Sequence, residues 1–228
     1  APELEQVLAD RGQAEMVKML RRIAEMTEVV SVRQKKPLGL GHAVLCARDL
    51  VGDEPFAVML ADDLIDSDTP CIRQLLEIFQ ETDESVVALM EVSQSEVHQY
   101  GVNKGTVLKD RLYQVEATVE KPPASEAPSR MAIIGRYVLR PEVFSILQHL
   151  PSGKGGEIQL TDGLAQLVRD RKVYGCEFAG DRYDIGDKFG FVRATVAYAL
   201  KRPDLKDKVL EYQKSTSTKR GCSSDGRA

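Results

Sequence analysis

Two adjacent acids, Asp62 and Asp63, follow an apolar run and have the chemistry of a cation site. The run Phe56–Leu60 is apolar throughout and rich in β-formers, which predicts a buried parallel strand. Ligands of an open α/β sheet collect beyond the carboxyl ends of its strands, where these acids would emerge. Neighbouring side chains of a strand point to opposite faces, so one acid could hold a divalent cation while the other faces a loop or ligand. The alternative is that the pair only forms a turn and caps a helix.

The loop that begins at Gln34 has the composition of a site for a flat ligand. Pro37, Gly39 and Gly41 follow in this loop, and glycine lets the backbone approach a ligand closely. The Gln34 amide can both donate to and accept from the edge of a nucleobase. A tight turn before a helix is the alternative, because the spacing is not the dinucleotide-binding G-x-G-x-x-G and no P-loop lysine follows.

Two later stretches could bind a sugar phosphate. In Glu120-Lys-Pro122 the carboxylate could accept from hydroxyl groups while the ammonium group faces a phosphate. In Tyr100-Gly-Val102 a small hydroxylated ligand could lie over Gly101. The alternatives are an exposed ion pair at a strand end and a plain turn.

The last third of the chain adds further acids and lysines beside glycines. Asp184 could complete a cation site with Asp62, and Lys188 could meet a phosphate. The alternatives are that Asp187 caps the helix that follows it and that Thr161 or Glu157 caps the helix near Leu160. Acids, lysines and glycines together suit phosphate transfer with a hard cation, in which positioning and charge neutralisation do most of the catalysis.

Composition narrows the class of protein. The 228 residues carry a formal net charge of −4 with no sustained basic run before the extreme C-terminus, which argues against a nucleic-acid partner. The cysteines lie far apart without zinc-site spacing, and we interpret them as reduced thiols of a cytoplasmic protein: Cys46, Cys71, Cys176 and Cys222. No apolar run reaches membrane-spanning length and no signal peptide is recognisable, so no membrane partner is expected.

Hydrophobic periodicity predicts an α/β protein. Helices are predicted at 1–27, His42–Asp49, Cys71–Glu81, Pro141–Leu147, Leu160–Asp170, 187–200 and Leu205–Tyr212. Strands are predicted at Val29–Arg33, Phe56–Leu60, Ser85–Glu91, Thr106–Leu108, Leu112–Glu120, Ala132–Leu139 and Val173–Phe178. Alternation before Glu91 implies parallel pairing, and the closely spaced strands after it imply an antiparallel extension. Residues 213–228 have no periodicity, which predicts a disordered or artificially added tail.

Taken in order, the motifs resemble those of bacterial UTP–glucose-1-phosphate uridylyltransferases. The resembling motifs are Arg33-Gln-x-x-Pro-x-Gly-Leu-Gly-His-Ala43, Val51-Gly-Asp-Glu-Pro55, Leu60-Ala-Asp-Asp63, Tyr100-Gly-Val102, Val119-Glu-Lys-Pro122, Ile134-Gly-Arg-Tyr137, Gly156-Glu-Ile-Gln-Leu-Thr-Asp162 and Asp184-x-Gly-Asp-Lys188. They extend from about Pro2 to about Tyr212, and their combination is specific although each alone is weak.

The resemblance implies a Rossmann-like (GT-A-like) mixed sheet flanked by helices, with a β-rich sugar-binding extension. It also implies Mg²⁺-dependent formation of UDP-glucose and pyrophosphate from UTP and glucose-1-phosphate. Carried over by position, the implied contacts are Gln34, Pro37 and Gly39 for uracil, Asp63 near the nucleotide, Asp62 and Asp184 for Mg²⁺, Tyr100, Gly101 and Glu120 for glucose, and Lys121 and Lys188 for phosphate.

The chain departs from the family pattern in two places. Ala61 stands where the family usually has proline. The family's opening strand, with its Gly-x-Gly-Thr-Arg loop that cradles the triphosphate, has no counterpart in this sequence, so an N-terminal βα portion is expected to be missing. Three hypotheses stay open: an active uridylyltransferase, a non-catalytic remnant that keeps binding or subunit contacts, and a related transferase that uses dTTP or GTP. Gly39-Leu-Gly-His42 and Gly156–Leu160 favour the UTP–glucose branch.

The resemblance also suggests how the chain is organised. Residues 1–212 would form an incomplete nucleotidyltransferase domain, with a nucleotide-binding part at 1–92, a sugar-phosphate-binding part at 93–190 and C-terminal helices at 191–212. The family commonly forms homo-oligomers, and a dimer or tetramer in the cytoplasm is therefore expected.

Overall fold

The computed structural model describes residues 2–221, with the backbone alone for Lys154 and for 217–221. The chain divides into two compact units, Ala1–Lys35 and Lys36–Ala228. The functional division expected at residues 92 and 190 stays a prediction.

The N-terminal unit contains the helices α1 (Pro2–Asp10) and α2 (Ala14–Glu25). An ion pair between Arg21 and Glu5 joins them. The predicted strand Val29–Arg33 is wrong, because these residues form no regular element and the Val29 side chain is 82% exposed. β-Branched residues suit a strand where a neighbouring strand supplies hydrogen bonds and a packing surface, and no described strand pairs with them.

The second unit mixes helices and strands. Its elements are α3 (Leu40–Leu45), α4 (Arg48–Val51), β1 (Phe56–Met59), β2 (Asp63–Asp66), α5 (Cys71–Thr82), β3 (Ser85–Glu91), β4 (Gly101–Lys109), β5 (Leu112–Glu120), β6 (Met131–Leu139), α6 (Glu142–His149), α7 (Leu160–Asp170), β7 (Val173–Glu177), β8 (Asp181–Asp184), α8 (Lys188–Lys201) and α9 (Pro203–Gly221). The α/β class is therefore confirmed.

Six strands form a mixed sheet in the order β1-β6-β3-β7-β5-β4. Among the described strands only β3 and β7 pair in parallel, so the expectation of parallel pairing before Glu91 is wrong. The buried parallel strand predicted at Phe56–Leu60 is instead β1, an antiparallel edge strand whose side chains alternate between half-buried and exposed. An apolar run does not reveal its partner, and here the partner β6 lies far along the chain.

The core lies on both faces of this sheet. On β3 the side chains of Val87 and Leu89 belong to the hydrophobic cluster that includes residues of α6 and α7. Those of Val86 and Ala88 belong to the cluster that includes residues of α5. Because side chains alternate along a strand, an uninterrupted apolar run such as β3 fills two cores at once. The central strands are thereby fixed, and so are the loops at their ends.

A separate two-stranded sheet, β2 with β8, was not predicted. Its antiparallel register places Asp63 opposite Asp184 and Ile65 opposite Arg182. Each strand has only four residues and begins and ends with an aspartate, so neither produces an apolar run. This small sheet brings the two acidic motifs together.

Element bounds and helix caps agree with the sequence predictions in some places and differ in others. The bounds predicted for β3, β5 and α7 are confirmed, and Asp187 caps α8 by accepting from Gly190 N at 2.8 Å. The cap considered at Thr161 or Glu157 is wrong, since Gln159 occupies the N-cap of α7 and makes no side-chain cap hydrogen bond. The plain turn considered at Tyr100–Val102 is also wrong, because β4 begins at Gly101.

The chain end and the predicted helix His42–Asp49 also differ from expectation. A turn at Cys46–Ala47 separates α3 from α4. Helix α9 continues to Gly221, beyond the predicted start of the tail at residue 213, and Tyr212 O accepts hydrogen bonds from the hydroxyls of Ser215 and Thr216. Residues 222–228 of the predicted tail lie outside the described residues.

The thiols and the helix lengths can be compared with the predictions of reduced cysteines and of no membrane-spanning run. Cys46, Cys71 and Cys176 are free thiols, and Cys222 lies outside the described residues. No helix in the described part of the chain has the length and apolarity needed to span a bilayer.

Candidate active site

A cleft of about 480 Å³ lies where the carboxyl ends of β1, β5 and β8 meet the start of β4 and α7. The predicted site residues that line it are Gly39, Asp62, Asp63, Tyr100, Gly101, Glu120, Lys121 and Asp184. Pro37 and Lys188 do not line it, and Lys188 is exposed at the first turn of α8. Gln34 belongs to the N-terminal unit, so its role in nucleotide binding stays a prediction.

Asp62 and Asp184 face each other across Gly186. A Cβ placed on Gly186 would lie 3.3 Å from Asp62 Oδ2 and 3.2 Å from Asp184 Oδ1. The β2–β8 pairing brings the two loops together, and Ile185 N donates to the Asp62 carbonyl at 2.8 Å. Asp184 Oδ1 accepts from the backbone N–H of Gly186 at 3.0 Å. Two carboxylates therefore converge on one space at the cleft.

This pair has the chemistry of a partial set of metal ligands. The described residues contain no group of three or more His, Cys, Asp or Glu side chains that could hold a metal ion. Mg²⁺ is commonly bound by one or two carboxylates together with water and substrate phosphates, because it dehydrates reluctantly. The Asp62–Asp184 pair fits that mode of binding.

Asp63 differs from its neighbour, because the protein uses both of its carboxylate oxygens. Oδ2 accepts from Gly135 N at 2.8 Å, and Oδ1 accepts from Arg182 Nε. A Cβ on Gly135 would lie 2.5 Å from Oδ2, so only glycine leaves room for this contact. The Asp63 side chain is 6% exposed, and its contacts join β2 to β6 and β8. The surroundings of the two adjacent acids therefore differ, and the different tasks expected for Asp62 and Asp63 stay a prediction.

Two arginines that the sequence analysis missed surround Asp63. Arg136 donates from Nη1 to the carbonyls of Leu60 and Gly135, both at 2.8 Å, and from Nη2 to the Asp63 carbonyl. Arg182 lies on the other side, where burial lowers its pKa but Asp63 and the Tyr100 hydroxyl raise it by more. Arg182 could have been found from the sequence, because it stands two residues before Asp184 and alternate residues of a strand share a face.

The Glu120 side of the cleft is built by β4, β5 and α7. Gly101 lies opposite Glu120 in the β4–β5 register, and a Cβ on Gly101 would lie 2.5 Å from Thr161 Oγ1 and 3.3 Å from Glu120 Oε2. Thr118 fixes the start of α7 by donating from Oγ1 to the Thr161 carbonyl at 2.9 Å. Burial, and then the Glu120 charge, raise the pKa of Asp162. Glycine at position 101 therefore lets the Thr161 and Glu120 side chains approach the backbone closely at the border of the cleft.

Lys121 closes this side of the cleft in an unusual backbone conformation. Its φ is +44°, in the left-handed region, and its N–H donates to the Tyr100 carbonyl at 2.9 Å. Its ammonium nitrogen lies 3.6 Å from Glu120 Oε1. The lysine side chain is about half exposed, so it is available to an anion in the cleft.

The glycine loop, which contains Gly39 and Gly41, packs against the loop that contains Ile158. Ile158 N donates to the Leu38 carbonyl at 2.7 Å, and Gly41 N donates to the Ile158 carbonyl at 2.9 Å. Gly39 has a φ of +93°, and a Cβ there would lie 2.7 Å from the Ile158 carbonyl. Glycine is therefore required at Gly39 by the loop pairing itself, and this residue also lines the cleft.

The chain is similar to known nucleotidyl transferases over most of its length. The family model for nucleotidyl transferases matches residues 3–200. UTP–glucose-1-phosphate uridylyltransferase 2 of Staphylococcus saprophyticus is 45% identical over 212 residues, which is 93% of this chain and 73% of that protein. The UTP–glucose-1-phosphate uridylyltransferase of Bacillus subtilis is 41% identical over 219 residues, which is 96% of this chain and 75% of that protein.

The fold is also that of a solved relative. The crystal structure of a UDP-glucose pyrophosphorylase complexed with UDP-glucose superposes with a TM-score of 0.80 at 42% identity, over 84% of this chain and 73% of that one.

Proposed function

The chain belongs to the nucleotidyl transferase family, among the UTP–glucose-1-phosphate uridylyltransferases, and we propose that it forms UDP-glucose and pyrophosphate from UTP and glucose-1-phosphate. The observation that carries this proposal is the single cleft that contains the Asp62–Asp184 pair together with Glu120 and Lys121. In the reaction a phosphate oxygen of glucose-1-phosphate attacks the α-phosphorus of UTP in line, the new P–O bond forms, and pyrophosphate leaves with the electrons of the broken bond.

Nucleotidyl transferases of this kind generally use a divalent metal ion, and we propose Mg²⁺ at Asp62 and Asp184. When bound there, Mg²⁺ would neutralise the phosphate charges gathered in the cleft. The fit rests on the two carboxylates that converge across Gly186 and leave the remaining ligand positions to water and phosphate oxygens.

We assign the sugar phosphate to the Glu120 side of the cleft. The Glu120 carboxylate would accept from glucose hydroxyls above Gly101, beside the Tyr100 ring, and the half-exposed Lys121 would meet the phosphate. A carboxylate that accepts hydrogen bonds from a bound sugar selects for hydroxyl groups at matching positions, because an unmatched buried acceptor is costly.

We assign the nucleotide to the glycine-loop side of the cleft. Gly39 lines the cleft there, and Gln34 and Pro37 are the further uracil contacts that the family resemblance implies. Lys188 would contact a phosphate. Asp63 would act near the nucleotide by holding the backbone rather than by direct contact, since its side chain is only 6% exposed and both of its oxygens accept hydrogen bonds, whereas the Asp184 side chain is 37% exposed.

A pyrophosphate-release assay tests the proposal. Purified chain receives Mg²⁺ and glucose-1-phosphate with UTP, dTTP or GTP, and the Bacillus subtilis relative serves as the positive control. We expect release with UTP well above the rate without sugar phosphate. Release with dTTP or GTP alone would favour the related-transferase hypothesis, and no release beside an active control would favour the non-catalytic remnant.

Nucleotide choice has its own variant. Gln34→Ala removes the amide that would read the uracil edge, so we expect the preference for UTP over GTP to narrow by about tenfold. A location in the cytoplasm and a homo-oligomeric state remain part of the proposal. Size-exclusion chromatography with light scattering measures the oligomeric state directly.

A further inference from the structure

The Arg182 guanidinium group joins three residues that line the cleft. Nε donates to Asp63 Oδ1, Nη1 donates to the Tyr100 hydroxyl at 3.0 Å, and Nη2 donates to Asp184 Oδ2 at 3.0 Å. The Arg182 side chain is only 9% exposed. We propose that Arg182 is a positioning residue that holds the cation acid Asp184 and the sugar-side ring of Tyr100 in one fixed arrangement. The assignment of those two sides rests on the proposed function.

The shape of the arginine side chain is what permits this arrangement. The guanidinium group is planar and presents its N–H donors in a rigid fork, so three nitrogen atoms can serve three acceptors in different directions. Its central carbon also lies 5.3 Å from the centre of the Tyr100 ring, within the range of a cation–π contact. Lysine keeps the positive charge but has a single nitrogen on a flexible stem. Charge and geometry can therefore be separated by one substitution.

The two candidate cation acids depend on the protein to different degrees. Asp184 is held at both oxygens, since Oδ1 accepts from the N–H groups of Gly186 and Asp187 and Oδ2 accepts from Arg182. No donor in the described part of the chain hydrogen-bonds to the Asp62 carboxylate. Asp184 therefore has a preset orientation that Arg182 completes, whereas Asp62 can adjust to what enters the cleft. Partners behind a metal ligand typically contribute about 10–100-fold to metal affinity or activity.

Arg136 shows what a purely structural arginine looks like in the same neighbourhood. All of its hydrogen bonds go to the backbone carbonyls of Leu60, Gly135 and Asp63. Arg182 instead binds three side chains, and two of them carry roles in the proposed reaction. The difference between bracing a backbone and orienting ligand-binding side chains is what the experiment has to resolve.

The test compares Arg182→Lys with the matched control Arg193→Lys. Arg193 also lies over a tyrosine ring, with its guanidinium carbon 5.7 Å from the centre of the Tyr183 ring, but that ring is not part of the cleft. For each protein we would measure the Kd of UDP-glucose by titration calorimetry, the Kd of Mn²⁺ by electron paramagnetic resonance, and the urea midpoint of unfolding. Mn²⁺ is the spectroscopic probe for the Mg²⁺ site.

We expect Arg182→Lys to weaken both UDP-glucose and Mn²⁺ binding by about tenfold or more, because the retained charge cannot replace the fork. Arg193→Lys should bind both as the wild type does. Tyr100→Phe is the second variant, in case Arg182→Lys does not fold. It removes one acceptor of Arg182 and should weaken UDP-glucose binding in the folded protein.

The inference is overturned if folded Arg182→Lys, or folded Tyr100→Phe in its place, binds UDP-glucose as the wild type does. It is equally overturned if Arg182→Lys lowers only the urea midpoint, or if the wild type binds neither probe, because Arg182 would then position nothing. The proposed function fails separately. A wild type that binds both probes but releases no pyrophosphate from UTP and glucose-1-phosphate contradicts the activity and leaves the positioning role to be judged on binding.

Discussion

Two arginine–carboxylate networks in the second unit have similar components and different surroundings. One joins Arg182 to Asp63 and Asp184 beside the cleft. The other joins Arg171 to Glu84 and Glu142, where α7 ends, β3 begins and α6 begins. The Arg171 pair with Glu84 is bidentate, with N–O distances of 3.0 and 3.1 Å, so its local geometry is at least as regular.

The two networks differ in solvent exposure and in what lies next to them. The Arg171 side chain is 35% exposed, and the group sits away from the cleft. Arg182 and Asp63 are almost fully buried, and Tyr100 and Asp184 of the same network face an open cavity. A buried charge loses its hydration and must be matched inside the protein, whereas an exposed ion pair exchanges partners with water at little cost. Burial beside a cavity therefore distinguishes the network that we propose to be functional, and regular ion-pair geometry does not.

Removing the buried counter-charge should produce the largest effect. Asp63→Asn leaves Arg182 buried with one fewer carboxylate and weakens the contact to Gly135 N, so we expect a loss of about 3–5 kcal/mol in the free energy of unfolding. Urea denaturation measures this loss. Glu84→Gln is the matched control in the partly exposed Arg171 network. An equal loss in its free energy of unfolding would contradict the comparison.

The next effect is on catalysis without unfolding. Asp62→Asn removes one carboxylate of the proposed Mg²⁺ pair, and because no described donor depends on that carboxylate, stability should be kept. We expect kcat to fall by about a hundredfold or more, close to 3 kcal/mol of transition-state stabilisation. The pyrophosphate-release assay at saturating Mg²⁺ is the measurement, and a full rate in this variant would show that the metal assignment is wrong.

The free energy of unfolding should also depend on pH, because Cys71 and Cys176 carry buried thiols. Burial raises the pKa of the Cys71 thiol to about 12 and that of the Cys176 thiol to about 11, from an ordinary value of 9.0. Between pH 9 and those values the unfolded chain loses thiol protons that the folded chain keeps, so stability is present below pH 9 and is lost as the pH rises. We expect a loss of about 1–3 kcal/mol by pH 10.

Urea midpoints at pH 8 and pH 10 measure this pH dependence. Cys71→Ala is its control, because the slope should become shallower once one thiol is absent. An unchanged slope in that variant would assign the alkaline loss to other groups.

The smallest effect on stability and activity should come from the partly exposed Arg171 network. Arg171→Ala removes partly exposed ion pairs with Glu84 and Glu142, which typically contribute about 1 kcal/mol or less each. We expect kcat and the Kd of UDP-glucose to equal those of the wild type. A large loss of activity in a stably folded Arg171→Ala protein would mean that the two networks do not differ in function.

The same contrast explains which parts could be predicted from the sequence. Strand β3 and helix α7 were predictable because an apolar run or a 3.6-residue pattern is a local property. Strands β2 and β8 were not, because four residues are too few to show such a pattern and the two strands lie far apart in the chain: the side-chain hydrogen bond between Asp63 and Arg182 joins residues 119 positions apart. Val29–Arg33 failed for the opposite reason, since its β-branched pattern is strong but no described strand pairs with it.

The candidate site divides in the same way. Asp62, Asp184, Glu120 and Lys121 could be proposed from their motifs, because acids and lysines beside glycine turns are visible one stretch at a time. Their convergence in one cleft depends on the β2–β8 pairing and on the β4–β5 register, which are long-range contacts. Arg182 was missed because its spacing of two residues from Asp184 is informative only once β8 is recognised as a strand, and two of its three acceptors lie far along the chain.

The most direct test of the account is the binding of UDP-glucose to three proteins under one set of conditions. Titration calorimetry would compare the wild type with Glu120→Gln in the cleft and Glu84→Gln in the partly exposed Arg171 network. The account predicts that Glu120→Gln weakens binding by about tenfold or more, because the neutral amide is a poorer acceptor for sugar hydroxyls. It predicts no change for Glu84→Gln. Equal affinity in all three proteins, or a loss confined to Glu84→Gln, would contradict the claim that this cleft is the sugar-nucleotide site.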